Sequence, residues 1–356
     1  MKSVFLSIAL FACSFVKAQT EWQAIEKFIQ SAGDSLISHH KIPGLAVGLV
    51  YKGTTHFYDF GYADPETKKR FTKTTIFEAG SITKTFTAFI VESVLREQRV
   101  ADTTSVERFL PDSVRTNALL HQITFKNLLN HSSGLPRLPA NLQLGPDPYK
   151  NYTTDSLFRY LMHAKPKPAG HYEYSNLGAG LAGVLAERMT GKSFDQLLRH
   201  YIYEPFRMED AAANKRYPVS QGYQLGKVDF WTFDALFPAG GLRANAQQML
   251  RYLSVMAQPE TGDQNAIIEH LLQPTLLINE KVQVGLGWHL LRAHKNAPVI
   301  YWHNGGTFGF STFAAFLKGR QKAVIVVVNQ YSQNALADQL GIAIMRKISE
   351  TKGDDE

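Results

Sequence analysis

The stretch Gly80-Ser81-Ile82-Thr83-Lys84 marks the point at which the sequence changes from β-rich to helical character. From this point on, apolar side chains recur at helical spacing, at Ile82, Phe86, Phe89, Ile90 and Val94. Residues at such spacing share one face of an α-helix. We therefore predict a helix with Ser81 in its first turn and Lys84 three residues later on the same side.

The sequence before this stretch predicts a β-hairpin. Pro43 to Val50 is an apolar run with glycines, Tyr51-Lys52-Gly53 has the composition of a turn, and Thr54 to Phe60 alternates between apolar and polar residues. Two such runs joined by a short glycine-containing turn are typical of antiparallel strands.

The last quarter of the chain has the same β-rich character. It contains strand-like runs at Val282 to Leu290, Pro298 to His303, Phe310 to Leu317 and Ala323 to Val328, and a closing helix at Ala335 to Ile348. The middle of the chain is helical, with N-cap patterns at Ser193-x-x-Gln196, Asn245-x-x-Gln248 and Thr124. Four prolines between residues 136 and 148 indicate a long loop.

These patterns predict a mixed α/β fold of the α+β type. An antiparallel sheet built from both chain ends is flanked by helices, and a mostly helical lobe is inserted between its two halves. The sheet lobe is expected at about residues 19–80 and 280–356, and the helical lobe at about 81–279. The groove between the lobes is the expected place for a ligand.

The N-terminus has the pattern of a signal peptide, residues 1–18. Lys2 supplies the positive charge, Val4 to Val16 the apolar stretch and Val16-Lys17-Ala18 a cleavage site. The apolar stretch is too short to span a bilayer. We expect an exported protein, periplasmic or secreted, whose mature domain is residues 19–356; an N-terminal sequence that retains Met1 would contradict this.

Cys13 is the one cysteine of the chain. If the signal peptide is removed, disulfides, thiol catalysis and cysteine-bound metals are excluded together. The alternative is that Leu10-Phe11-Ala12-Cys13 is a lipoprotein cleavage site, which would leave Cys13 as a lipid-anchored first residue.

Composition and spacing exclude several other classes. Hydrophobic residues make up 44% and charged residues 19% of the 356 residues, which excludes a disordered chain. The formal net charge of +7 is scattered, and Lys68-Lys69-Arg70 follows a turn, so nucleic acid is not expected as a partner. No zinc or calcium motif occurs, so we expect no metal and no cofactor.

Gly178-Ala179-Gly180-Leu181-Ala182-Gly183 matches the spacing of a dinucleotide-binding loop. The preceding Lys165 to Gly170 contains two prolines and cannot form the central parallel strand that such a loop requires. Tight packing of small residues on a helix explains this stretch better.

Ser81 and Lys84 form a Ser-x-x-Lys pair. A serine hydroxyl is a weak nucleophile until a base takes its proton, and a desolvated lysine can act as that base. On its own the pair is also explained by a capping serine and a solvated lysine.

Two further elements follow in order, Tyr174-Ser175-Asn176 and His303-Asn304-Gly305-Gly306. With Leu128 to Pro136 and Phe237 to Arg243, they make the chain resemble the penicillin-recognising serine hydrolases, which include class C β-lactamases, D-alanyl-D-alanine carboxypeptidases and related esterases. The resemblance covers about residues 35 to 330 and implies a β-lactamase/transpeptidase-like fold.

The resemblance also implies roles for individual residues. Ser81 matches the acylated serine, Lys84 its proton partner and Tyr174 a proton relay. The backbone N–H groups of Ser81 and Gly306 match the oxyanion hole. The residues that match substrate-binding positions are Asn176, which is also expected to hold Lys84, and His303, Asn304 and Gly305.

The chain departs from the β-lactamase pattern at one position. Where those enzymes have Lys-Thr-Gly, this sequence has His303-Asn304-Gly305. An ordinary histidine is mostly neutral near pH 7 and attracts a substrate carboxylate less than lysine does. We therefore expect hydrolysis of an ester, amide or D-amino-acid peptide bond, and β-lactam hydrolysis stays open as a less favoured activity. The alternative is a cell-wall-peptide or penicillin-binding protein without turnover.

Overall fold

The computed structural model describes the backbone of residues 2–351 and the side chains of residues 19–351. Its strands, in chain order, are β1 Gly44–Tyr51, β2 Thr54–Gly61, β3 Phe77–Glu78, β4 Gly222–Tyr223, β5 Lys227–Val228, β6 Arg243–Ala244, β7 Leu276–Asn279, β8 Val282–Val284, β9 His289–Leu291, β10 Ile300–Gly306, β11 Ser311–Leu317 and β12 Lys322–Val328.

The helices of the same residues lie mainly between β2 and β7. They are α1 Lys2–His40, α2 Thr83–Glu97, α3 Asp112–Arg115, α4 Phe125–Leu129, α5 Thr154–His163, α6 Asn176–Thr190, α7 Phe194–Leu198, α8 Phe237–Gly240, α9 Ala246–Ala257, α10 Gly262–Leu271 and α11 Asn334–Ser349. Tighter turns of 3-10 helix cover Gly80–Ile82, Val106–Phe109 and Ala118–Leu120, and Arg199–Tyr203 forms a π-helical turn.

The central sheet has eight antiparallel strands in the order β2-β1-β12-β11-β10-β9-β8-β7. Because β1 pairs with β12, the first and last strands of the described chain are neighbours within the sheet. The predicted sheet from both chain ends, with a mostly helical insertion, is confirmed. The sheet takes in β7, which begins at Leu276, slightly before the expected lobe boundary at residue 280.

The predicted N-terminal hairpin is also confirmed. Strands β1 and β2 pair from Gly44 with Gly61 to Tyr51 with Thr54. The two residues between them, Lys52 and Gly53, have φ values of 50° and 75°. Positive φ at both central positions is what a tight turn compatible with strand twist requires.

The predicted continuous strand from Val282 to Leu290 is wrong, because the structure divides it into β8 and β9. The intervening chain turns at Gly287, whose φ is 74°. A Cβ atom there would lie 2.7 Å from the Ala88 Cβ and 2.9 Å from the Lys84 carbonyl oxygen. The chain reverses direction here between two paired strands, and the backbone of the turn lies directly against α2.

Strand β12 explains the uninterrupted apolar run near the C-terminus. Val324, Val326 and Val328 pack on the side of α1 and α11. Ala323, Ile325 and Val327 belong to the core on the opposite side, with the helical lobe. The sheet is covered on both faces at this strand, so no polar alternation is needed.

Helix α2 lies inside the protein, and the prediction of a single apolar face is too narrow. Every side chain from Thr83 to Leu95 is buried. Its hydroxyl groups donate to backbone carbonyl oxygens: Thr85 Oγ1 to Ile82 at 2.9 Å, Ser93 Oγ to Phe89 at 2.7 Å and Thr87 Oγ1 to Pro238 at 2.6 Å. Polar residues are therefore tolerated on all sides of this helix.

Local capping follows the sequence closely. Ser193 with Gln196 and Thr124 with Asn127 form complete capping boxes. Asn245 caps α9 through the Gln248 N–H group, but the Gln248 side chain accepts a bond from the Glu209 N–H group instead of completing a box.

The glycines of the set-aside dinucleotide pattern lie on α6 and allow close packing. A Cβ atom at Gly180 would lie 2.4 Å from Leu236, and one at Gly183 2.2 Å from Pro238. The packing explanation of this stretch is therefore confirmed.

The predicted cleavage site Val16-Lys17-Ala18 and Cys13 lie outside the residues whose side chains are described, and both stay predictions. Within the described part of the chain, no helix combines the length and apolar character needed to cross a bilayer.

Candidate active site

A cleft of about 610 Å³ opens between the C-terminal end of β10 and the helical lobe. The predicted site residues that line it are Ser81, Tyr174, Asn176, Asn304 and Gly306. Lys84 and His303 lie behind its surface, 2% and 1% exposed. The sheet and the inserted lobe thus bring three distant parts of the sequence to one cavity.

Ser81 and Lys84 are in direct contact at the start of α2. The Lys84 Nζ atom is hydrogen-bonded to Ser81 Oγ at 2.9 Å and donates to the Ala239 carbonyl oxygen at 2.5 Å. Ser81 is in the 3-10 turn that precedes the helix and stays partly exposed to the cleft. The amine and hydroxyl are held at proton-transfer distance.

The pKa of Lys84 is well below that of a free lysine. The main cause is loss of hydration on burial, and the positive charge of Arg137 acts in the same direction. Among the described residues, no carboxylate lies within ion-pair distance of the Lys84 amine. A neutral amine able to accept a proton is therefore accessible at moderate pH.

Tyr174 lies over this pair. Its ring centroid is 4.9 Å from Lys84 Nζ and 5.0 Å from the Arg137 guanidinium. Burial raises the pKa of the Tyr174 phenol, although its hydrogen bond with Ser81 opposes the rise. The phenol is therefore protonated near neutral pH.

His131 holds the Tyr174 segment in position. Its ring lies 4.3 Å from the Tyr174 ring, and its Nδ1 atom accepts a hydrogen bond from the Ser175 N–H group at 3.2 Å. Burial lowers the pKa of His131 well below its usual value. His131 therefore has a structural role beside Tyr174.

The His303 side chain is buried behind the cleft surface, with its ring 6.4 Å from the Tyr174 ring and 5.2 Å from the His289 ring, and its contact with substrate stays a prediction. Its Nδ1 atom donates to the Asn304 carbonyl oxygen at 2.6 Å. Loss of hydration lowers the pKa of His303 well below its usual value, so the ring is neutral. Asn304, the next residue along the strand, faces the cleft instead.

Asn304 is held by the C-terminal helix. Its Nδ2 atom donates to Asp338 Oδ2 at 2.8 Å, and Asn334 donates to the Gly305 carbonyl oxygen at 2.7 Å. Both contacts attach α11 to the strand that borders the cleft. Asp338 and Asn334 were not identified from the sequence.

Two glycines allow the strand to approach Ser81. Gly80 has a φ of 54°, and a Cβ atom there would lie 2.7 Å from the Gly306 backbone nitrogen. A Cβ atom at Gly305 would lie 2.0 Å from the Ala79 carbonyl oxygen. The backbone of Gly306 thus lies against the turn that carries Ser81.

Asn176 lines the cleft but does not hold Lys84 as expected. Among the described residues, Lys84 bonds to Ser81 and to the Ala239 carbonyl, and the buried Asn176 Oδ1 atom has no partner. The carbonyl belongs to the stretch Phe237 to Arg243, so backbone takes the place assigned to the side-chain amide.

Several lining residues were missed from the sequence, notably Arg137, Tyr172 and His289. Tyr172 Oη and His289 Nε2 are 3.1 Å apart; burial raises the pKa of Tyr172 to about 12 and lowers that of His289 to about 4. Arg137 directly follows the matching stretch that ends at Pro136, and His289 follows the glycine break after β8. The adjacent matching stretch and the adjacent glycine break were the sequence features that could have identified Arg137 and His289.

The residues described hold no group of three or more histidine, cysteine, aspartate or glutamate side chains arranged to bind a metal ion.

Comparison with known proteins adds the family. The model of the Beta-lactamase family matches residues 23–346. The chain is 27% identical to a beta-lactamase of Yersinia enterocolitica over 97% of both chains, and 25% identical to one of Escherichia coli K12 over 88% of this chain and 90% of that protein. It is 23% identical to penicillin-binding protein 4* of Bacillus subtilis over 85% of this chain and 72% of that protein. The chain therefore belongs to the beta-lactamase family and is a β-lactamase-related serine hydrolase.

Proposed function

We propose that Ser81 forms an acyl-enzyme with an ester, amide or D-amino-acid peptide substrate, which water then hydrolyses. The observation that carries this proposal is the 2.9 Å contact between Ser81 Oγ and the buried Lys84 amine. A serine beside a neutral amine has a base within reach of its proton. The cleft gives a substrate access to the same hydroxyl.

Acylation follows from these positions. Lys84 takes the proton of Ser81 as Oγ bonds to the substrate carbonyl carbon, and the carbonyl oxygen becomes an oxyanion next to the N–H groups of Ser81 and Gly306. When the tetrahedral intermediate collapses, the carbon–leaving-group bond breaks and the Tyr174 phenol gives the leaving group its proton. The Lys84 ammonium then returns a proton to Tyr174.

Deacylation repeats the sequence with water. Water loses a proton to the Lys84 and Tyr174 pair as its oxygen bonds to the acyl carbon. The Ser81 oxygen leaves and is reprotonated. Because the pKa of Lys84 is lowered and that of Tyr174 is raised, we assign the base to Lys84 and the proton donor to Tyr174.

His303 and Asn304 have different parts in this proposal. Asn304 faces the cleft and contacts substrate, whereas the buried His303 supports the strand behind Tyr174, with ring centroids 6.4 Å apart. Export to the periplasm or outside the cell completes the proposal and rests on the N-terminal pattern of residues 1–18.

The nucleophile is tested by labelling with a fluorophosphonate probe and a fluorescent penicillin. We expect Ser81→Ala to abolish labelling. The matched control is Ser93→Ala, which removes a hydroxyl group from helix α2. Among the described residues, the Ser93 hydroxyl bonds only to the Phe89 carbonyl oxygen. Labelling that persists in Ser81→Ala would place the nucleophile elsewhere, and labelling of the wild type without turnover would favour the non-turnover alternative.

A further inference from the structure

The cleft carries one unbalanced charge. Of the described residues that line it, Arg137 alone has a side chain that is formally charged at neutral pH. No carboxylate of residues 19–351 lies within ion-pair distance of its guanidinium, which is exposed at the cleft. A cleft with an unpaired cation favours an anionic ligand.

The strand side of the cleft does not supply a second cation. His303 is buried and neutral, and the Asn304 amide donates to Asp338. The Lys84 amine is buried and occupied by Ser81 and the Ala239 carbonyl. The attraction for an anion therefore comes from the helical lobe.

Arg137 is close enough to influence the whole cleft. Its charge lowers the pKa of each of five groups around the site, namely Lys84, His131, Tyr149, Tyr172 and Tyr174. A carboxylate bound at Arg137 would be within electrostatic reach of the same groups.

Both the side chain and the backbone of Arg137 contact the Tyr174 segment. The guanidinium lies over the Tyr174 ring at 5.0 Å, and the Arg137 carbonyl oxygen accepts the Asn176 N–H group at 3.0 Å. A guanidinium stacked on an aromatic ring keeps its N–H groups at the edge, where they can bind both oxygens of a carboxylate. We propose that Arg137 binds a carboxylate of the acyl substrate, so that this enzyme prefers anionic esters or amides.

The neighbouring surface fits the rest of such a substrate. Trp231 packs against Phe308 at 4.6 Å and against Tyr149 at 5.0 Å, and all three side chains line the cleft. They offer apolar contact beside the cationic group. This inference rests on the proposed function of Ser81 and adds a substrate class to it.

The test compares three esters: para-nitrophenyl butyrate, which is neutral; para-nitrophenyl hemisuccinate, with a carboxylate in the acyl part; and para-carboxyphenyl butyrate, with one in the leaving group. In Arg137→Gln, we expect the ratio of kcat/KM for at least one anionic ester to kcat/KM for the neutral ester to fall about tenfold. Arg137→Lys should keep part of the ratio. A ratio unchanged for both anionic esters overturns the proposal.

The matched control is Arg108→Gln. Arg108 is exposed and also lies over an aromatic ring, Phe109, at 5.6 Å, but it is outside the cleft. We expect it to keep the wild-type ratio. High salt should lower the wild-type ratio, since it screens an exposed charge.

A binding measurement separates this inference from the hydrolytic proposal. In the Ser81→Ala background, calorimetry should show hydrocinnamate, an aromatic carboxylate, binding about tenfold more weakly once Arg137→Gln is added. Its neutral amide should show no such loss. Loss of ester hydrolysis in the wild type would contradict the proposed function alone, whereas equal hydrocinnamate binding with and without Arg137 overturns the anion site.

Discussion

Helix α2 carries buried ionisable side chains near both of its ends, and their surroundings differ. Near the first turn, Lys84 is 2% exposed and has no carboxylate partner among the described residues. Near the last turn, Glu92 is 5% exposed but is paired with Arg96 at 2.6 Å and lies 3.7 Å from His270. Burial shifts the pKa of both groups towards the neutral form, but only at Glu92 do neighbouring opposite charges oppose that shift.

The histidines near the two ends follow the same division. Burial lowers the pKa of His289 to about 4, and the Lys84 charge contributes. The pKa of His270 is raised, first by its hydrogen bond with Asp102 at 3.2 Å. Helix α2 thus runs from the cleft, whose buried bases are neutral, to a cluster of oppositely charged side chains near its other end.

The largest effect is expected from Lys84→Met. Loss of the proposed base should lower kcat/KM for a neutral ester by about a thousandfold. The free energy of unfolding should stay the same or increase, because a buried unpaired amine is replaced by an apolar chain of similar shape. Steady-state kinetics and urea unfolding measure both quantities. Activity within tenfold of wild type would show that Lys84 is not the base.

The second-largest effect is expected in the pH dependence of the unfolding free energy, and it involves His289 and His270. Because the folded pKa of His289 is depressed, its unfolded form binds more protons, and stability is lost as pH falls from about 6.5 to about 4. His289→Gln should therefore reduce the loss of unfolding free energy over this window by about 3 kcal/mol. Urea unfolding at a series of pH values measures it.

His270→Gln serves as the control with the opposite sign. Because the folded pKa of His270 is raised, its contribution is present below its unfolded pKa and is lost as pH rises through the folded value. This variant should lose stability at low pH more than at high pH. If the unfolding free energy depended on pH in the same way in both variants, the contrast between the two ends of α2 would be contradicted.

The smallest effect is expected from Glu92→Gln. The Arg96 side chain is 43% exposed and can be rehydrated, so loss of the pair should cost about 1 kcal/mol of unfolding free energy. The value of kcat/KM should stay within about twofold of wild type, since Glu92 does not contact the cleft. A loss of activity comparable to that of Lys84→Met would mean that the two ends are not functionally separate.

Local features of the fold could be predicted because local chemistry determines them. The hairpin turn at Lys52 and Gly53 and the capping boxes at Ser193 and Thr124 depend on residues a few positions apart. The break between β8 and β9 could not be predicted. It depends on contact with α2, about two hundred positions earlier in the sequence.

The candidate site was likewise only partly predictable from the sequence. The order of the Ser81, Tyr174 and His303 elements indicated which segments form the cleft. Which side of the strand faces it could not be known, because that depends on the register of β10 against β11, which pairs Asn304 with Phe313. Arg137 was missed because a single arginine has no periodic or spacing signature.

The pairing of β1 with β12 has a consequence for biosynthesis. A ribosome makes Leu45 about 280 residues before Val328, yet these residues are register partners on neighbouring strands. Strand β1 therefore acquires its second neighbour only after the whole helical insertion has been synthesised, and such long sequence separation slows folding. Truncation before β12 would remove the partner of both β1 and β11, so we expect it to abolish folding of the sheet that borders the cleft.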